Sequence, residues 1–177
     1  MLNNFREIGG YLELERNRFP LLHESALALN CGRNALRYLL EQRKIRALLL
    51  PSFLCDTVRS VCSGVSCRTY PVGTDFLPQF PDPAEDEWLY VVNYYGQLPA
   101  AFLAELRQRF PRLIIDNAQA YFEPPLPETD TLYTCRKFFG SRLNLYRCRE
   151  DSFPDSRYAV RYGYSSIPAR PGKRLGS

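Results

Sequence analysis

A chain of 177 residues is enough for one domain with a sizeable core, and one domain is expected in preference to two. With 45% hydrophobic and 14% aromatic residues it is no disordered polymer, and no apolar window reaches the length of a membrane-spanning helix. The net charge of +4 is misleading: residues 141–177 carry 8 Lys/Arg against 3 Asp/Glu, leaving residues 1–140 close to neutral.

The opening stretch MLNNFREIGGYLELERNRF carries acids early and has no apolar signal core, so a cytoplasmic chain is expected. ALALN (26–30) then leads through Cys31-Gly32 into RNALRYLLEQRK, where Ala35, Leu36, Leu39 and Leu40 stand at helical spacing and predict a helix. IRALLLP (45–51) is a continuous apolar run ended by proline, as expected of a buried strand. Helical spacing returns over SFLCDTVRSVCSG (52–64), with Gly64 as terminator, and VSCRTYPV (65–72) alternates like a strand. Three prolines make TDFLPQFPDPAEDE a loop.

WLYVVNYYG (88–96) predicts a strand stopped by glycine, and AAFLAELRQRF (100–110) an amphipathic helix. RLIIDNAQAYF (112–122) reads as a buried strand running into polar residues, and TLYTC (131–135) as one more short strand. Alternating strand and helix predict an α/β fold, a mostly parallel sheet with helices on both faces. The last 37 residues have few aliphatics and no sustained period, so residues 141–177 are expected to be a basic, poorly structured tail.

No two of the six cysteines form a C-x-x-C pair, and His23 is the only histidine, so no metal site is expected. The cysteines read as reduced and mostly buried small apolar residues.

In an open parallel sheet, ligands bind beyond the carboxyl ends of the strands. Four segments end there with polar residues. Gly32-Arg33-Asn34 opens a helix whose free N–H groups suit a phosphate. Asp116 follows Leu113-Ile114-Ile115, where a carboxylate could keep a pyridine nitrogen protonated; a turn or helix cap is its ordinary alternative. Gln119 and Asn93 could contact the same ring, or be plain surface amides. Lys137, just past a strand end, could have its pKa lowered by desolvation and attack an aldehyde, with Thr134 reaching the phosphate and Phe138 and Phe139 excluding water. A snorkelling surface lysine is the alternative.

Together these segments resemble the pyridoxal-phosphate aminotransferases of fold type I, and most closely the DegT/DnrJ/EryC1/StrS branch. The match runs through Gly32-Arg33-Asn34-Ala35-Leu36, Pro51-Ser52, Asp116-Asn117-Ala118-Gln119-Ala120 and Lys137, in the family's order, over roughly residues 20–140. The resemblance implies pyridoxal 5'-phosphate as cofactor and an amine/keto substrate. Lys137 would be the Schiff-base lysine, Asp116 the partner of the ring nitrogen, and Gly32, Arg33, Asn34, Asn93, Gln119 and Thr134 further cofactor contacts. It also implies a homodimer whose subunits complete each other's sites.

Residues 1–140 would then be part of the cofactor-binding large domain, in a chain shorter than fold type I subunits. Arg33 replaces the family's usual small hydroxyl residue, and Thr-Cys-Arg-Lys replaces its Ser-Phe-His-x-x-Lys run, so no nucleotide-sugar substrate is assigned. Two other expectations stand beside the enzyme: a catalytically inactive, truncated remnant of the same fold, and a protein whose basic tail binds nucleic acid.

Overall fold

In a computed structural model of the chain, residues 22–23, 26–29, 31–139 and 144–147 are described. These form one seven-stranded sheet: β1 (Leu27–Leu29), β2 (Ala47–Pro51), β3 (Ser66–Tyr70), β4 (Glu87–Val92), β5 (Leu113–Asn117), β6 (Asp130–Thr134) and β7 (Asn144–Arg147). Their spatial order is β1-β7-β6-β5-β4-β2-β3. The five strands from β2 to β6 run parallel, whereas β7 lies antiparallel to both β6 and β1. Among the described residues three α-helices accompany the sheet: α1 (Gly32–Gln42), α2 (Asp56–Val61) and α3 (Ala100–Arg109).

Side-chain alternation along the strands sorts the core into two layers. Leu48 and Leu50 of β2, Trp88, Tyr90 and Val92 of β4 and Ile114 of β5 pack with the buried face of α1 and with Val61 of α2. The residues between them, Leu49, Leu89, Val91, Leu113 and Ile115, pack on the opposite side with Leu103 and Leu106 of α3. A strand reverses face at each residue, so a sheet covered on both sides needs unbroken apolar runs, and LLL and LYVV supply them. Each fully buried leucine contributes about 2 kcal/mol of transfer free energy. A third, smaller cluster joins Tyr121, Tyr133 and Cys135 with Phe138 and Phe139. His23 is buried against it, its Nε2 2.7 Å from the Tyr121 carbonyl oxygen and its ring stacked on Tyr133.

The expected mostly parallel sheet with helices on both faces is present, with four local differences. Helix α2 is shorter than the predicted 52–64. The Arg59 guanidinium reaches back to the carbonyls of Pro51 and Ser52, and the Ser52 N–H extends the ladder to Tyr70, so this stretch stays extended. The strand predicted over 88–96 stops at Val92, because Asn93 closes a turn in which Tyr95 and Gly96 take positive φ of 55° and 71°. Strand β7 falls inside the segment expected to be a poorly structured tail; a four-residue strand is too short to show a period, and β6 and β1 supply its pairing. The rest of that tail, from residue 148, lies outside the described residues. Finally, only Cys62 and Cys135 of the described cysteines are buried: Cys67 sits on the exposed edge strand β3 and Cys55 precedes α2. No helix among the described residues is long and apolar enough to cross a membrane.

Candidate functional site

At the carboxyl ends of β4, β5 and β6, the start of α1 and the segment before α2 enclose a cleft of about 570 Å³. Strand β5 delivers Asp116 to its floor, and the turn that follows adds Ala118 and Gln119. Thr134 enters as the last residue of β6, and Gly32 and Arg33 as the first two of α1. Lys137 and Arg136 stand at the rim.

Asp116 is only 8% exposed. Its Oδ2 accepts the Tyr90 hydroxyl at 2.6 Å, and its Oδ1 accepts the Ala118 N–H at 2.8 Å. Burial pushes the carboxyl above its ordinary range; the two donors and the positive charge of Lys137 pull it back only in part. Among the described residues no salt bridge reaches Asp116. The site therefore holds a buried acid whose charge lacks a contacting cation, an environment that favours a cationic ligand group. Burial, and then Asp116, push the Tyr90 phenol far up, so it stays protonated and donates.

Gln119 adds an independent sign. Its Oε1 is a buried side-chain oxygen with no hydrogen-bond partner, which is uncommon in a folded protein unless a ligand or water completes it. It lines the same cleft.

The remaining expected site residues divide. Thr134 is buried at the cleft wall and Arg33 is exposed beside it. Lys137 lines the cleft but is exposed, against the expectation of a desolvated strand-end lysine. The chain leaves the sheet at Cys135, where the N–H groups of Phe138 and Phe139 both turn back to the Cys135 carbonyl, placing Lys137 on an open turn. Phe138 and Phe139 pack on Tyr121 instead of covering it. Asn34 does not line the cleft; its backbone N–H bonds the Cys31 carbonyl in the first turn of α1. Asn93 is fully buried outside it, donating from Nδ2 to Asn117 Oδ1 at 3.2 Å and accepting the Leu98 N–H at 3.0 Å.

Among the cleft residues to which the sequence assigned no role are Tyr90, Phe53, Tyr94 and Cys55. Tyr94 donates its hydroxyl to the Phe53 carbonyl, and the two rings lie 5.6 Å apart as an aromatic wall. Burial pushes the Tyr94 phenol up to about 12. The aromatic density of YVVNYY was the available signal, but it could not tell wall from core.

No family model matches the sequence, and no curated protein matches it. Solved structures do match the fold. The sugar aminotransferase CalS13 from Micromonospora echinospora superposes with a TM-score of 0.59 at 15% identity, over 80% of this chain and 48% of that one. BacF from Bacillus subtilis gives 0.56 at 20% identity, over 80% and 51%. The histidinol-phosphate aminotransferase from Clostridium acetobutylicum gives 0.54 at 14%, over 78% and 47%. The chain thus has an α/β fold shared with aminotransferases, and spans about half the length of these structures.

Proposed function

We propose that this is a pyridoxal-phosphate-binding, aminotransferase-like protein of fold type I, and that the cleft is its cofactor site. The observation that carries the reading is Asp116, a buried acid without a contacting cation, in one cleft with the unpartnered Gln119 Oε1 and the amine of Lys137. That donor set fits the cofactor: Asp116 for a protonated ring nitrogen, Gln119 for a polar group on the ring, and Gly32, Arg33 and Thr134 for the phosphate. Lys137 Nζ would bond the aldehyde and, once released, carry the proton of the substrate carbon. When bound, the cofactor supplies the electron sink for that chemistry. The run from Asp116 to Ala120, with Lys137 after it, supports placing the chain near the DegT/DnrJ/EryC1/StrS branch. A homodimer and a small amine/keto substrate belong to the same proposal, as does the assignment of residues 1–140 to part of a large domain.

The exposure of Lys137 favours a second reading, in which the cofactor binds without efficient turnover, because water at the lysine weakens electrostatic preorganisation.

The test mixes full-length protein with pyridoxal phosphate, follows the cofactor absorbance, reduces with borohydride and maps the modified residue. The label is expected on Lys137, and Lys137→Ala is expected to lose both absorbance change and label. A variant that keeps both would refute the assignment. Amino transfer across a panel of amines then separates the two readings.

A further inference from the structure

Tyr90 and Asp116 meet because of strand register. In the β4–β5 ladder Tyr90 pairs with Ile114 and Val92 with Asp116, so Tyr90 and Asp116 are diagonal neighbours on one face, a span that an aromatic side chain can cross. The resulting hydroxyl–carboxylate contact of 2.6 Å has the length of a charge-assisted bond. Tyr90 is itself held: it is 1% exposed, packed among core residues, and its carbonyl accepts the hydroxyl of the equally buried Tyr70 at 2.9 Å. The Ala118 N–H occupies the other carboxylate oxygen, so both oxygens have one donor each and keep a lone pair free for a ligand.

We propose that Tyr90 is a positioning residue, whose buried hydroxyl fixes the Asp116 carboxylate to receive the N–H of a cationic heteroaromatic ring. This rests on the cofactor reading above. Around the pair stand Lys137 beyond β6, Tyr94 beyond β4, Tyr70 on β3 and Cys62 after α2. Of these only Lys137 carries positive charge, and it stands at the exposed rim. Tyr90 is therefore the donor that compensates Asp116 from within the core.

The experiment compares wild-type protein with Tyr90→Phe, and with Tyr70→Phe as a control that leaves the Asp116 contact in place. Without cofactor, carbon-detected NMR follows the titration of the Asp116 carboxyl. Removing a hydrogen bond to a charged group should raise its midpoint by roughly one to two pH units in Tyr90→Phe, with Tyr70→Phe close to wild type. With pyridoxal phosphate, the same variant should bind roughly tenfold to a hundredfold more weakly and shift the pH dependence of cofactor absorbance. An unchanged Asp116 midpoint in folded Tyr90→Phe overturns the proposal. If that variant does not fold, the wild-type Tyr90 hydroxyl proton serves: it should shift as Asp116 titrates, and a resonance blind to that titration overturns the proposal equally. Wild-type protein that fails to bind pyridoxal phosphate defeats the cofactor reading, while the titration still decides the Tyr90–Asp116 pairing.

Discussion

Asn93 offers a sharp test of how the cleft is built, because a strand-end amide invites a ligand role that its contacts assign elsewhere. Its side chain bridges the Leu98 N–H and Asn117 Oδ1, both in buried residues. Asn93→Ala leaves one donor and one acceptor without partners inside the protein. Each such group costs roughly 1–3 kcal/mol, and partial relaxation around the smaller side chain places the expected loss near 3 kcal/mol. With a urea dependence of about 2 kcal/mol per molar, the unfolding midpoint should fall by about 1.5 M at unchanged slope, read by circular dichroism. Asn93→Asp adds a directional control. An aspartate still accepts from Leu98, but it can donate to Asn117 only when protonated. Its penalty should therefore be small at low pH and grow as pH rises. A loss below about 1 kcal/mol for the alanine variant, or a pH-independent penalty for the aspartate variant, would refute the bridging role. Weakened cofactor binding at unchanged stability would return Asn93 to the ligand.

Glu87 and Cys55 give two further tests. The Arg68 guanidinium, followed by the Ala84 N–H, holds the Glu87 carboxyl below its ordinary value, so the pair's stabilisation is present above that ordinary value and fades as pH falls through the lowered one. Arg68→Ala should thus destabilise at neutral pH and match wild type in acid, and equal losses at both in thermal unfolding would contradict the pairing. The Cys55 thiol is exposed and lowered chiefly by its hydrogen bond with the Thr57 hydroxyl, whereas burial pushes Cys62 up to about 12. Iodoacetamide should therefore modify Cys55 well before Cys62, and pyridoxal phosphate should slow that reaction, since Cys55 lines the cleft. Cys62 reacting first in mass spectra would show the thiol environments to be misassigned.

The central sheet was legible because β2 and β4 are buried on both faces, and a doubly covered strand has to be written as an apolar run. The same condition hid the most informative residue. When every position of a strand is apolar or aromatic, nothing in the run says which face Tyr90 joins; that follows only from the register between β4 and β5. Strands β1 and β7 escaped for want of length, and the start of α2 because its chain path is decided by Arg59 seven and eight residues on. The rule that ligands gather at strand ends pointed to Asp116, Gln119 and Thr134, and all three line the cleft. Asn93 satisfied the same rule and serves the turn, since the rule marks a position and not the direction of a side chain. For Lys137, proximity to a buried strand stood in for burial. Three residues of turn were enough to separate the two.

Two core layers that alternate residue by residue also govern which length changes the gene can tolerate. An insertion into the loop between β3 and β4, away from Phe76 and Phe80 that pack on the core, leaves the strand register unchanged. One extra residue between Leu89 and Tyr90, with the register before it kept, would turn Tyr90 toward α3 and take its hydroxyl away from Asp116. The site thus depends on register within β4 and β5, where a single inserted codon would part Tyr90 from Asp116 while every loop kept its length.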